Sequence, residues 1–245
     1  MGHGIVWQEA PAELTLQDTD VHVWQTSLVQ SEDYVARLFQ ILSPEEQAKA
    51  KRFRFPELQK HYIVGRGVLR ELLGKYLNVP GATLEFAYGP QGKPMLAGAF
   101  AGHAIRFNVS HSGELALYAV TVGREVGVDI EYMKDLEEAE SIAEHFFSPR
   151  EVESLLSLPS EQRHEAFFNC WSRKEAFIKV TGKGVSYGLD KFAVTLTPNE
   201  PARLLWVESA DASNWELHAL DAAERYKAAL CVEGTGVTLS CFGWN

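Results

Sequence analysis

The sequence predicts an α+β fold organised as a pseudo-dimer, two similar α/β halves related by a pseudo-twofold with a site at their junction. Three observations predict it. Ser43-Pro44-Glu45-Glu46 is echoed by Ser148-Pro149-Arg150-Glu151 at an offset of 105 residues. The same offset pairs an apolar strand at 21–28 with one at 126–133, and an amphipathic helix near 57–77 with one near 162–181. At 245 residues and 46% hydrophobic, the chain has material for one large core or two small ones. The halves divide as residues 1–114 and 115–245.

Each Ser-Pro segment reads as a helix start, with Ser at the N-cap, Pro at the first helical position and Glu closing a capping box. The turn at 88–94 (Tyr-Gly-Pro-Gln-Gly-Lys-Pro) leads to a strand at 105–109. A hairpin follows, joining 115–122 to 126–131 through Gly123-Arg124-Glu125. The acidic helix start at 137–144 reads as a solvated face. Strands near 204–208, 216–220, 226–232 and 237–242 complete the sheets as hairpins and carry no evident chemistry.

The bulk composition excludes several classes. No apolar run approaches a membrane span, and Met1-Gly2-His3-Gly4-Ile5 has no basic region before an apolar stretch. Val6 stands where a myristoylated Gly2 would need Ser or Thr. Cys170, Cys231 and Cys241 are odd in number and lack metal-ligand spacing, so they read as reduced thiols in a cytoplasmic protein. Between residues 47 and 70, seven Lys and Arg face one Glu, a segment of +6 in a chain of −10, which leaves −16 elsewhere. That pattern argues against a general nucleic-acid binder and suits a compact anion such as a nucleotide phosphate. Taken alone, such a run is more commonly a solvated basic helix face.

The chemistry-bearing residues lie in three segments. Asp129 and Glu131 alternate within Gly127-Val128-Asp129-Ile130-Glu131, so on a strand they share one side while Val128 and Ile130 face the core. Glu175 and Lys179 sit one helical turn apart in Trp171-Ser172-Arg173-Lys174-Glu175-Ala176-Phe177-Ile178-Lys179. Three carboxylates and a lysine from two elements suit a divalent metal carrying a phosphate. By itself a Glu–Lys pair at this spacing is an ordinary surface pair of about 0.3–0.5 kcal/mol. It gains weight because the paired carboxylates interrupt a strand that otherwise favours apolar residues. Lys174 projects near the apolar arc of its helix and must snorkel or find an anion. Gly182 supplies the helix stop. In Phe107-Asn108-Val109-Ser110-His111-Ser112-Gly113, Ser110 and His111 offer a hydroxyl and an imidazole to phosphate oxygens as the strand enters a turn.

In this order, Gly92-Lys93-Pro94, the Asn-Val-Ser-His-Ser segment, the Gly-Val-Asp-Ile-Glu strand and the Trp-Ser-Arg-Lys-Glu-Ala helix with Lys179 resemble the 4′-phosphopantetheinyl transferases of the surfactin-synthetase-activating type. The resemblance spans roughly residues 43–192. It implies a monomeric enzyme that moves phosphopantetheine from coenzyme A to a serine of an apo acyl or peptidyl carrier protein and releases adenosine 3′,5′-bisphosphate. Carried over by position, Asp129, Glu131 and Glu175 would hold Mg²⁺, with Mn²⁺ as an alternative. Lys179, Lys174, Ser110 and His111 would meet the phosphates, with Glu175, Lys179 and His111 as the catalytic set. Lys93 would contact coenzyme A. Lys49, Arg52 and Arg66 would meet its 3′-phosphate and adenine side, where this chain places Glu46 and Arg66 at positions that hold Lys and Asp in some members. Glu151 matches an acidic position after the second Ser-Pro turn, as a cap or in positioning water.

The serine's proton could pass to Glu175, to Glu151 or to a water on the metal. Two other functions use the same residues. A non-catalytic relative would bind coenzyme A or a carrier without turnover, and a metal-dependent phosphodiesterase would use water as the nucleophile.

Overall fold

The computed structural model describes residues 6–11, 13–208 and 210–244. The reading of the first five residues therefore lies outside the described residues. The chain runs through β1 (Trp7–Gln8), β2 (Asp20–Ser27), α1 (Glu32–Ile41), α2 (Pro44–Ala50) and α3 (Pro56–Leu77). There follow β3 (Glu85–Tyr88), β4 (Pro94–Ala97), β5 (Ile105–Ser112), β6 (Leu115–Val122) and β7 (Val126–Tyr132). Next come α4 (Ala139–Phe146), α5 (Pro149–Ser157) and α6 (Ser160–Thr181). The chain closes with β8 (Phe192–Val194), β9 (Leu204–Val207), β10 (Trp215–Leu220), β11 (Tyr226–Glu233) and β12 (Thr238–Gly243). The fold is mixed α and β, and no described helix is long and apolar enough to cross a membrane.

Both Ser-Pro segments open helices as local chemistry dictates. The Ser43 amide donates to Glu46 Oε2 at 3.0 Å and the Ser148 amide to Glu151 Oε2 at 2.9 Å, each closing a capping box. Helix α6 stops at Gly182, whose φ of 67° is left-handed.

The larger sheet has the order β1-β12-β2-β6-β5 and the smaller one β10-β11-β7. Helices α1 and α3 pack on the outer face of the first through Leu38, Val68 and Leu72 against Trp24, Tyr118 and Val120. The opposite face, with Val23, Leu117 and Ala119, packs on Val128, Ile130 and Leu230 of the second sheet. Helix α6 covers the far side of that sheet through Phe177, Ala176 and Phe167 against Ala229 and Cys231.

Strands β6 and β7 do not form the expected hairpin: β6 pairs with β2 and β5, and β7 pairs with β11. Strand β6 is buried on both faces between β2 and β5, whereas β7 turns Val126, Val128 and Ile130 to the first sheet and Asp129 and Glu131 away from it, so the 123–125 turn carries the chain from one sheet to the other. The strand expected at 237–242 is not part of a hairpin either, since β12 runs parallel to both β1 and β2. Strands β6 and β12, from the second half of the sequence, thus lie in the first sheet. Strand β5 also runs on to Ser112, so the Asn-Val-Ser-His-Ser segment is extended and not a turn.

That extension joins the two sheets. Asn108 Oδ1 accepts from the Val128 amide at 2.9 Å, Ser110 Oγ from Ile130 at 3.4 Å and Ser112 Oγ from Tyr132 at 3.0 Å. Three alternating side chains take the place of a backbone ladder along β7. They fix the strand that carries Asp129 and Glu131.

Candidate active site

The site lies where β7, β5 and the last turns of α6 meet. Gly127, Asp129 and Glu131 share the face of β7 turned to α6. A Cβ at Gly127 would lie 2.1 Å from the Ala176 carbonyl oxygen and 2.5 Å from the Val180 amide nitrogen. Only glycine allows the helix backbone this close, and that approach sets Lys179 over Asp129. Gly127→Ala is therefore expected to destabilise the protein by about 2–3 kcal/mol, measured by urea denaturation, and to displace α6 from the strand. No sequence signal beyond the glycine itself announced this role.

Asp129 is buried, and its Oδ1 accepts from Lys179 Nζ at 2.6 Å and from Ser110 Oγ at 2.9 Å. Its other oxygen, Oδ2, is buried with no partner. Burial pushes the carboxyl above its ordinary range, against the opposing pull of Lys179 and Ser110. Glu131, half-buried, accepts from Ser112 Oγ at 3.0 Å. Burial and then the charge of Asp129 raise it, and the same two causes raise Glu175, which also feels Glu131. The three carboxylates thus repel one another in a poorly solvated place.

Lys179 Nζ also bonds Ser110 Oγ at 2.8 Å and the Val128 carbonyl at 3.2 Å. Among the described residues, no three His, Cys, Asp or Glu side chains are arranged as a metal-binding set as they stand. The donors nonetheless fit a hard divalent cation: all are carboxylate oxygens, they are mutually repulsive, and one buried oxygen is unpartnered. Glu175, Lys179, Lys93, Gly92 and Asn108 line a cavity of about 300 Å³. Larger cavities of about 840 and 820 Å³ lie elsewhere and hold none of these residues.

Several predicted contacts fall differently. Lys174 is fully buried and bonds Glu151 Oε2 at 2.7 Å and the Leu189 and Phe192 carbonyls at 2.6 and 2.8 Å. All three of its protons are placed inside the core, so it is not a phosphate contact. The lysine on the apolar arc has found its anion. Glu151 is correspondingly structural: one oxygen caps α5 and holds Lys174, and the other accepts from the Val194 amide at 2.8 Å.

Ser110 spends its one proton on Asp129, so its hydroxyl positions the carboxylate. Lys93 Nζ bonds Glu125 Oε2 and the Val126 and Lys179 carbonyls at 3.0–3.2 Å, tying the Gly-Lys-Pro turn to the C-terminus of α6. The alternation of β5 turns His111 to the opposite side from Ser110 and Ser112, where it is exposed.

In the basic segment, Lys49 and Arg52 are exposed, and the Lys49 ammonium lies 5.2 Å from the centre of the Tyr62 ring. Arg66 donates to Glu46 Oε1 at 2.6 and 2.8 Å and to the Tyr88 hydroxyl at 2.8 Å. Arg70 holds the other Glu46 oxygen at 2.6 Å. Burial opposes ionisation of Glu46, but the two arginines and the Ser43 cap outweigh it and hold the carboxyl below its ordinary range. Glu46 is thus the buried anchor of two arginines.

Comparison with known proteins identifies the family. A family model described as "4'-phosphopantetheinyl transferase superfamily" matches residues 125–231, and one described as "4'-phosphopantetheinyl transferase, N-terminal" matches 24–123. The chain is 42% identical over 239 residues to the 4'-phosphopantetheinyl transferase HetI of Nostoc sp. (strain PCC 7120), covering 98% of this chain and 95% of that one. It is 36% identical over 197 residues to the 4'-phosphopantetheinyl transferase psf-1 of Bacillus pumilus, covering 80% and 81%. It is 29% identical over 201 residues to the 4'-phosphopantetheinyl transferase Sfp of Bacillus subtilis (strain 168), covering 82% and 86%. The chain belongs to the 4'-phosphopantetheinyl transferase superfamily.

Proposed function

We propose that this protein transfers the 4′-phosphopantetheine group of coenzyme A to a serine of an apo acyl or peptidyl carrier protein. The observation that carries the reading is a near full-length kinship with 4'-phosphopantetheinyl transferases in a chain whose Glu175 and Lys179 line one cavity beside Asp129 and Glu131. The serine oxygen forms a bond to the phosphorus that bears pantetheine. The bond from that phosphorus to the bridging oxygen breaks, and adenosine 3′,5′-bisphosphate leaves.

Asp129, Glu131 and Glu175 would hold Mg²⁺, or Mn²⁺, whose charge when bound offsets the negative charge developing on the leaving phosphate. Glu175 lines the cavity and has its pKa raised by burial and by Asp129, so it is suited to take the serine's proton. Glu151 is committed to the α5 cap and Lys174. Lys179 stabilises charge on the phosphates, and exposed His111 meets them from the other side of β5. Lys93 and Ser110 act from behind, holding the helix end and Asp129.

Lys49, Arg52 and Arg66 form the 3′-phosphate side. Arg66→Ala should weaken coenzyme A by about tenfold, as expected for a charged hydrogen bond of ~1.5 kcal/mol, while 3′-dephospho-coenzyme A changes little. Equal losses by calorimetry would exclude that contact. The matched capping boxes and the two long helices support a pseudo-twofold between an N-terminal half that holds the nucleotide and a C-terminal half that holds the metal ligands. Three buried cysteines without disulfides suit a reducing compartment such as the cytoplasm, and a pseudo-dimer that already contains its own second half suits a monomer.

The reading is tested by following adenosine 3′,5′-bisphosphate. Release that requires an apo carrier supports transfer. Release from coenzyme A alone indicates a phosphodiesterase, and binding without release indicates a non-catalytic relative.

A further inference from the structure

Lys179 is fully occupied where it stands. Its ammonium bonds Asp129 Oδ1, Ser110 Oγ and the Val128 carbonyl, which uses all three protons. A lysine so placed has no donor left for a substrate phosphate. Asp129 depends on it equally: the carboxylate is only 3% exposed, its Oδ2 has no partner, and Lys179 is the cation bonded to it. The nearby Lys93 is committed to Glu125 and two carbonyls and is not bonded to Asp129. Moving Lys179 to a phosphate would strand a buried charge unless another cation replaced it. Lys179 nevertheless reaches the cavity wall, and its side chain is a quarter exposed, so a change of rotamer carries the ammonium into the cavity.

We propose that Lys179 is an internal stand-in for the divalent cation, holding Asp129 until a metal takes that place and releasing to the substrate phosphate when it does. The inference rests on the transferase reading for the identity of that phosphate and concerns how the site is loaded. Metal and coenzyme A then bind as a coupled pair. Metal alone must displace the lysine with nothing to receive it. Coenzyme A alone draws the lysine from a carboxylate that has no substitute. By linkage, each ligand raises the affinity for the other by the same factor. Lys179 is thus a positioning residue for the metal as well as a phosphate contact.

The test is Mn²⁺ binding to the protein alone, followed by the electron paramagnetic resonance of free Mn²⁺, with neither coenzyme A nor carrier present. Lys179→Met removes the competitor, so it should bind Mn²⁺ about tenfold or more tightly than the wild type, whereas Lys179→Arg should stay at the wild-type level or below. The Lys179→Met protein should melt below the wild type without metal and gain more from Mn²⁺ than the wild type gains. An affinity within twofold of the wild type, or a weaker one, would overturn the proposal. Should Lys179→Met not fold, the wild type supplies the same test through its lysine side-chain nitrogen resonances. Saturating Mg²⁺ should shift the Lys179 ammonium signal and hasten its hydrogen exchange, and an unmoved signal with Mg²⁺ bound refutes the exchange of partners. Since no substrate is involved, failure here leaves the transferase reading standing, and failure of that reading leaves this result intact.

Discussion

Asp129→Asn is expected to lower phosphopantetheine transfer by about 10²–10³-fold, the scale on which single electrostatic groups act on a transition state, while the protein remains folded. The replacement keeps the shape of the side chain and an oxygen for Ser110 and Lys179. It removes one of the three mutually repelling carboxylates, and with it the part of the site best suited to a divalent cation. The Lys179 side chain, a quarter exposed, can recover hydration, so the stability change should stay near 1 kcal/mol. Parallel measurements of turnover and urea unfolding check both halves. A variant that unfolds readily would assign Asp129 to the fold, and one that retains full turnover would remove it from the site.

Lys174→Met should have the opposite signature. The ammonium is fully buried against Glu151 and two backbone carbonyls, so its removal leaves a buried carboxylate and two acceptors without a partner. Breaking a buried pair from one side costs about 3–5 kcal/mol, which would be visible as an early urea midpoint. Lys174→Met combined with Glu151→Gln should recover part of that loss, because the uncompensated charge goes with it. The folded fraction of the single variant should bind coenzyme A within about twofold of the wild type, since a side chain with no accessible donor contributes no ligand contact. A tenfold weaker affinity with unchanged stability would return Lys174 to the phosphates.

Much of this molecule was legible in one dimension because it is decided locally. The two capping boxes need only four adjacent residues each, and both form as the Ser-Pro-x-Glu spacing requires. The i,i+4 placement of Glu175 and Lys179 and the stop at Gly182 follow from helix geometry. What could not be read is decided by partners distant in sequence. A glycine-bearing turn between two apolar runs has the local chemistry of a hairpin, and nothing within 115–131 states that the strands belong to different sheets. Polar alternation at Asn108, Ser110 and Ser112 resembles a loop until β7 is known to lie alongside. Lys174 was visibly in conflict with its apolar arc, but the resolving anion stands on another helix. The glycine of Gly-Val-Asp-Ile-Glu matters only because α6 crosses it.

Transfer of phosphopantetheine to a carrier protein would be visible directly by intact-mass spectrometry. An apo acyl or peptidyl carrier protein would be incubated with this protein, coenzyme A and Mg²⁺, with an EDTA control. The carrier should gain the mass of one phosphopantetheine, with no gain in EDTA and none when the acceptor serine is replaced by alanine. No gain on any of several carriers, with coenzyme A binding intact, would contradict that transfer.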